Sequence, residues 1–322
     1  MLLAADVGGT KTLLGVFERA DRRPIQRALR SYPTRSFTRF LDILDTFARD
    51  EPQARGIEAI ALGVAGPVAA NRATLTNVGL DVVGDEIAAA LGTPRVHVLN
   101  DLEALALGVP LLSDNEQVLL QSGRPQAGGN AAVIAAGTGL GEAFLHRIGG
   151  RWIPLPTEAG HADFAARTDR EIELVRMLRE RYGRAEVEHV LSGPGLLNLH
   201  RFTHRGGACA VVEDIEANGA AAHVSMGALS GRCQGCVDAL RMFVSAYGAE
   251  AGNLALRGVS TAGVYVGGGI ARKILPFIQD GTFMDAFLAK APLTALLETI
   301  PVRVILNEEA GLLGAAASAQ SL

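Results

Sequence analysis

Twice along the chain an apolar β-type run breaks into a turn of glycine and threonine and resumes as a second β-type run. The first copy is residues 2–6, then Val7-Gly8-Gly9-Thr10, then residues 12–17; the second is residues 131–136, then Gly137-Thr138-Gly139-Leu140-Gly141, then residues 142–146. A run, a tight turn and a run read as a hairpin. Each copy is followed by further short runs and by amphipathic helices, so the two halves of the chain are expected to share one plan. Glycine supports this reading. It makes up 38 of 322 residues, with no repeat tract to absorb the excess, so the glycines serve particular turns.

The helices are legible from their spacing. Phe37, Phe40, Leu41, Leu44 and Phe47 line one face, with Pro52 just beyond, and Ile172, Val175, Leu178 and Tyr182 line another, with Gly183 placed as a C-terminal cap. A longer helix is expected over residues 237–256, burying Leu240, Phe243, Val244, Tyr247 and Leu254. The chain closes on an expected strand at 302–306, with Asn307 as the N-cap of a small-residue helix running to residue 319. Strands alternating with helices predict an α/β fold. No Pro/Ser linker separates two independent parts, so the boundaries are expected at residues 108–113 and 300–304.

Charge and composition exclude several classes. Lys and Arg number 30 against 34 Asp and Glu, a net charge of −4, which gives no broad positive surface for nucleic acid. Every apolar stretch is interrupted well before the ~20 residues of a membrane span. Residues 1–10 have no basic n-region and carry Asp6 where a signal peptide is apolar, which predicts a cytoplasmic protein. Three cysteines cannot make a disulfide framework.

Several positions can carry chemistry. Two glycines in Gly8-Gly9-Thr10, with Asp6 before them and Lys11 after, let backbone N–H groups approach an anion, and Gly137-Thr138-Gly139 has the same character. Neither is a Walker loop, since the Gly-Lys-Ser/Thr ending is missing. Gly267-Gly268-Gly269 joins an apolar run to a helix start, which suits either close passage under a ring or phosphate or a tightly packed turn. Asn100-Asp101 ends the run 95–99 and opens a helical stretch, a catalytic pair or a helix cap. Thr76-Asn77 is a polar pair after an apolar run. Glu158 and His161 sit three apart in a loop bounded by Gly and Pro; they can hold a polyhydroxy ligand or form a solvated loop. Cys233-Gln234-Gly235-Cys236 invites a zinc reading, but Cys209 and His223 make no matching second pair at a familiar spacing, so no metal or redox role is expected.

Taken in order, Asp6-Val7-Gly8-Gly9-Thr10, Leu75-Thr76-Asn77, Leu99-Asn100-Asp101, Gly137-Thr138-Gly139-Leu140-Gly141, Glu158-Ala159-Gly160-His161, Glu188 through Ser192-Gly193-Pro194-Gly195, Gly267-Gly268-Gly269-Ile270 and Gly311-Leu312-Leu313-Gly314 resemble the bacterial glucokinase family, within the hexokinase, actin and chaperone ATPase superfamily. The resemblance spans nearly the whole chain. It implies a two-domain actin-like ATPase (ribonuclease-H-like) fold of duplicated topology with an interdomain cleft, residues 1–110 and 303–322 forming a small α/β domain and 111–302 a large one. It implies ATP-dependent phosphorylation of glucose at the C6 hydroxyl, giving glucose 6-phosphate and ADP, with Asp101 as general base. Asn77, Asn100, Asp101, Glu158, His161 and Glu188 would hold the sugar. Asp6, Gly8, Gly9, Thr10, Lys11, Gly137, Thr138, Gly139, Gly267, Gly268 and Gly269 would bind ATP, and Asp6 would orient Mg²⁺ through water. A homodimer is the expected assembly. The alternatives are a kinase for another hexose and a sugar-responsive regulator that kept the fold. Val78-Gly79-Leu80 stands where the family often has an aromatic residue, so packing beside the sugar is expected to differ.

Overall fold

Residue 2 to residue 7 is where the alternation of a strand is easiest to see at work. In the computed structural model, which describes residues 1–52, 54, 56–75, 78–205 and 207–322, β1 (Leu2–Val7) is buried on both faces. Leu3, Ala5 and Val7 join a core with Phe40, Ile43, Leu44 and Phe47, whereas Leu2 and Ala4 join a second core with Ala104, Leu312, Ala315, Ala316 and Ala319. Successive side chains point to opposite faces, so a strand central to a sheet must be apolar at both parities. Asp6 ends the second of these rows.

The described residues group into two bodies. The first comprises residues 1–116, 151–156 and 307–322. It contains β1, β2 (Lys11–Glu18), β3 (Ile25–Pro33), β4 (Ala59–Val64), the small strands β5 (Val68–Ala69), β6 (Arg72–Leu75) and β7 (Leu80–Val83), and β8 (Val96–Asn100), with helices α1 (Phe40–Asp50), α2 (Gly84–Leu91) and α3 (Asp101–Gly108). The main sheet has the order β3-β2-β1-β4-β8, and β5-β6-β7 forms a separate three-stranded sheet. Strands β1 and β2 are an antiparallel hairpin, while β4 and β8 run parallel to β1.

The second body comprises residues 117–150 and 157–306. Its strands are β9 (Gln117–Gln121), β10 (Ala131–Ala136), β11 (Leu140–Ile148), β13 (Gly263–Gly267) and β14 (Val302–Ile305); β12 (Arg151–Thr157) lies between in sequence. Its helices are α4 (Asp169–Tyr182), α5 (Gly193–His204), α6 (Ala220–Leu229), α7 (Gln234–Gly258), α8 (Gly268–Lys273), α9 (Leu275–Ile278), α10 (Thr282–Leu288) and α11 (Thr294–Leu297). The order β11-β10-β13-β14-β9 within its sheet again has an antiparallel hairpin, β10 with β11, followed by the parallel neighbours β13 and β14, with β9 added antiparallel at the edge. The plan of the first body recurs, as the paired turns led us to expect, and the fold is α/β with duplicated topology.

The final helix, α12 (Ala310–Ser321), belongs to the first body and explains its own composition. A Cβ on Gly314 would stand 1.7 Å from the Ala104 carbonyl oxygen, and one on Gly108 would stand 2.0 Å from that of Ala310. Helices α3 and α12 therefore cross at a distance only small residues permit. Two sequence expectations shift. Phe37 is extended, following a short 3₁₀ turn at Thr34–Ser36, so α1 begins at Phe40. Asn307 does not cap α12; its Oδ1 accepts the Glu309 N–H at 2.7 Å, a turn that delays the helix to Ala310. Gly183 does cap α4, with φ of +80°. No helix among the described residues is long and apolar enough to cross a membrane.

Candidate functional site

In the first body, β1, β4 and β8 end level with one another: Val7 lies opposite Val64, and Val64 opposite Asn100. Turns at the carboxyl ends of parallel strands are where α/β sheets meet ligands. The first such turn is Gly8-Gly9-Thr10. The Gly8 N–H donates to the Lys11 carbonyl at 3.0 Å and closes it. Thr34 braces it from the side. Its hydroxyl donates to the Gly8 carbonyl at 2.7 Å and its N–H to the Thr10 carbonyl at 3.1 Å, while the Thr12 hydroxyl lies 2.9 Å away. Sequence reading passed over Thr34, because nothing local distinguishes it from any other threonine after a strand. Thr10 and Lys11 are exposed at the tip.

Asp6 sits just beneath this turn, half-buried, and a Cβ on Gly311 at the start of α12 would be 3.6 Å from its Oδ2. Burial raises its carboxyl above the usual range, and Lys11 partly opposes that. At the end of β8, Asn100 is the N-cap of α3: its Oδ1 accepts the Leu102 N–H at 2.9 Å and its Nδ2 donates to the Gly66 carbonyl at 3.0 Å. Glu103 completes a capping box with the Asn100 N–H. Asp101 is the first residue of α3, half-buried, with Oδ1 accepting the Leu102 N–H at 2.9 Å. The cap is thus real, and it holds the Asp101 backbone at the strand end. Asn77 lies outside the described residues.

In the second body, the turn Gly137-Thr138-Gly139 is tied to three other segments. The Gly137 carbonyl accepts the N–H of Gly193, the first residue of α5, at 2.8 Å. The Leu140 N–H donates to Glu188 Oε2 at 2.8 Å, and a Cβ on Gly160 would lie 2.3 Å from the Leu140 carbonyl oxygen. The segment bearing Glu158 and His161 pairs with that bearing Glu188 through the bonds from Glu188 N–H to the Gly160 carbonyl and from Val187 N–H to the Ala162 carbonyl, both 2.9 Å. The structure therefore gathers Gly139, Glu158, His161 and Glu188 around one turn, although up to 49 positions separate Gly139 from Glu188 in the chain.

His161 has a partner that sequence reading missed. Its Nδ1 lies 2.8 Å from Glu186 Oε2, and this bond, with Glu188 and Glu158 adding to it against some burial, raises the imidazole above its ordinary pKa. Both His161 and Glu158 are exposed.

The third glycine turn follows β13. Gly268 has φ of +83°, and a Cβ there would fall 2.1 Å from the Ala136 carbonyl oxygen, so β10 and the start of α8 touch through it. Beneath, the fully buried Tyr247 hydroxyl accepts the Ala136 N–H at 3.1 Å and donates to the Gly267 carbonyl at 2.9 Å. Among the described residues nothing stands within 4 Å of where a Cβ on Gly269 would be. Gly268 serves packing, and Gly269 has open space above it.

Comparisons with known proteins agree over the full length. The family model described as Glucokinase matches residues 3–322. A glucokinase of Nostoc punctiforme is 36% identical over 340 aligned positions, covering 100% of this chain and 99% of its own. Among solved structures, a glucokinase from an Antarctic psychrotroph superposes with a TM-score of 0.89 at 29% identity, covering 100% of this chain and 99% of that one. A ROK family glucokinase from Streptomyces griseus, solved in complex with glucose and AMPPNP, superposes with a TM-score of 0.66 at 21% identity over 100% and 99% of the two chains, a likeness of fold. With an actin-like ATPase architecture, a glycine hairpin in each body and a full-length match, the chain belongs to the glucokinase family.

Proposed function

We propose that the chain transfers the γ-phosphoryl group of ATP to the C6 hydroxyl of glucose, yielding glucose 6-phosphate and ADP, with Asp101 as general base. The observation that carries the assignment of roles is the position of Asp101. It is held by the Asn100 cap at the carboxyl end of β8, level with the end of β1 that leads into the first glycine turn. A carboxylate there can accept the hydroxyl proton as the C6 oxygen attacks phosphorus, and in phosphoryl transfer the protein's work is mainly positioning and charge stabilisation.

The remaining roles follow residue by residue. Asn77, Asn100, Glu158, His161 and Glu188 hydrogen-bond the sugar hydroxyls; a carboxylate accepts two donors, and the His161 imidazole, bonded to Glu186 through Nδ1, offers its other ring nitrogen. Gly9, Thr10 and Lys11 in the first body and Thr138 and Gly139 in the second offer backbone N–H groups, hydroxyls and one ammonium to phosphate oxygens, while Gly8 and Gly137, whose own N–H groups close the turns onto the Lys11 and Gly139 carbonyls, keep the approach free of side chains. Gly267, Gly268 and Gly269 line the adenosine site, of which Gly269 has the open side. ATP is the donor in this reading; the Streptomyces griseus relative was solved with an ATP analogue and glucose together. Asp6 fits Mg²⁺: it is a hard oxygen donor whose burial disfavours its anion, a cost that a nearby divalent cation offsets. The ion, arriving with ATP, neutralises charge on the phosphate oxygens. The reading extends to a cytoplasmic homodimer, which sedimentation equilibrium checks.

A coupled ADP-release assay across glucose, mannose, fructose and N-acetylglucosamine tests the whole. Glucose is expected to give the highest kcat/KM. Equal turnover of another hexose replaces the reading with a broader hexose kinase, and ADP release that no sugar stimulates ends it.

A further inference from the structure

The cysteines that sequence spacing set aside come together in the second body. Cys209 Sγ lies 3.6 Å from Cys233 Sγ and 3.7 Å from Cys236 Sγ, and His204 Nε2 lies 3.2 Å from Cys233 Sγ. The ligating atoms of His200, His204, Cys209 and Cys236 all fall within 4.8 Å of one another. We infer that His204, Cys209, Cys233 and Cys236 form a structural zinc site of the Cys₃His kind, which fastens the end of α5 to the start of α7.

Four observations support it. The first is the separation of the sulfurs. A tetrahedral zinc with Zn–S of ~2.3 Å sets its sulfurs ~3.8 Å apart, close to the separations found here. All three cysteines are free thiols in the structure.

The second is the state of the imidazole. His204 Nδ1 lies 2.8 Å from the His200 carbonyl oxygen. That acceptor calls for a proton on Nδ1, which leaves the lone pair on Nε2, the nitrogen facing the sulfurs. An outer hydrogen bond that fixes the tautomer is the usual support of a metal-bound histidine.

The third is the room made for the ring. A Cβ on Gly235, between Cys233, the residue that precedes α7, and Cys236 in its first turn, would stand 2.6 Å from His204 Cε1 and 2.7 Å from Nε2. Only glycine lets the imidazole approach the helix start. The fourth is His200, whose ring stacks on that of His204 with centroids 3.8 Å apart. Its Nε2 is buried with no hydrogen-bond partner among the described residues. The stack holds the His204 ring in its orientation toward the sulfurs, and His200 itself is not one of the four ligands.

The spacing is then readable: His204-x₄-Cys209 and Cys233-x₂-Cys236 are two ligand pairs at separations structural zinc sites use. The pairing is hidden in the sequence because His204 ends one helix while Cys209 lies in the connection after it. Binding replaces the thiol protons by the ion and releases them to solvent, so affinity rises with pH. The gain is mechanical. Helix α5 begins at the Gly137 turn and α7 carries Tyr247 under the third glycine turn, so the metal would clamp two helices that support the nucleotide-side glycines.

The full-length chain, purified under reducing conditions without a histidine tag, is expected to carry about one zinc per molecule by elemental analysis. After stripping, Co²⁺ should give the strong ligand-field and thiolate charge-transfer bands of a tetrahedral sulfur-rich site. Cys209→Ser and His204→Gln should each abolish stoichiometric zinc and change the cobalt spectrum, and a chelator should lower Tm of the wild type. Three results overturn the proposal: wild-type chain that takes up no zinc when reconstituted, cobalt bound only with the weak spectrum of an octahedral oxygen site, or a purified chain whose mass shows two of the thiols joined as a disulfide. The wild-type measurements decide even where a variant fails to fold, and none depends on kinase activity.

Discussion

The carboxylate of Glu188 accepts the backbone N–H of Leu140 at 2.8 Å, and a Cβ on Gly139 would stand 2.6 Å from the same oxygen, Oε2. One side chain thus joins the second glycine turn to the group of residues assigned to the sugar. Gly139→Ala must push Glu188 aside, and because only the far end of a flexible side chain is in the way, the fold can absorb the change. The displaced bond is worth ~1 kcal/mol. We expect KM for glucose to rise by roughly five- to tenfold in this variant while Tm falls by only a few degrees. Steady-state kinetics at saturating ATP and a thermal melt check it; an unchanged KM for glucose separates Glu188 from the sugar.

Asp101→Asn keeps the size of the side chain and an oxygen for the Leu102 N–H, so α3 should still start where it does. Only the ability to take a proton is lost. Removing a positioned general base costs about 10²- to 10⁴-fold in kcat. Glucose binding, followed through the fluorescence of Trp152, the one tryptophan of the chain, should persist. A variant with more than roughly a tenth of wild-type kcat removes Asp101 from the role of base.

What the sequence displays and what it hides divides along the range of the contacts. The two hairpins, the Asn100 cap and the Gly183 cap are made within a few residues, and their turn chemistry is written locally. Thr34 against Gly8, Glu186 against His161 and His204 against Cys233 are 26, 25 and 29 positions apart. They exist because β3 returns beside the first turn, because residues 160–162 pair with 186–188, and because α5 packs on α7. No periodicity announces such meetings. Resemblance to a family named Glu188, but its bond to Leu140 needed the fold.

Gly268 and Gly269 are neighbours whose substitution should fail in different ways. Gly268 has φ of +83° and a would-be Cβ 2.1 Å from the Ala136 carbonyl oxygen, so alanine meets both a disfavoured backbone and a collision with backbone that cannot turn away. Gly268→Ala should lose at least ~2 kcal/mol of stability, seen as a Tm several degrees lower or as insoluble protein. Gly269→Ala meets nothing within 4 Å among the described residues and should melt like wild type, while raising KM for ATP if the turn lines the adenosine. A Gly269→Ala enzyme with wild-type KM for ATP moves the nucleotide elsewhere; a Gly268→Ala enzyme of full stability refutes the packing.

Glu142 in β11 supplies the pH dependence. It is fully buried, both carboxyl oxygens lack a hydrogen-bond partner among the described residues, and burial, with Glu250 adding and Arg257 opposing, pushes its pKa from 4.5 up to about 8. The folded chain therefore holds this proton between pH 4.5 and about 8 while the unfolded chain releases it. Where the folded state binds more protons, stability falls as pH rises. The contribution is complete below the unfolded pKa, declines through neutrality and is gone above the folded one, a difference on the order of a few kcal/mol at ~1.4 kcal/mol per unit. Glu142→Gln is neutral at every pH and loses this slope. We expect the variant and the wild type to melt together near pH 5, and the variant to melt several degrees higher near pH 9. Parallel Tm curves across that range would show that Glu142 ionises in the folded state as it does in the unfolded one.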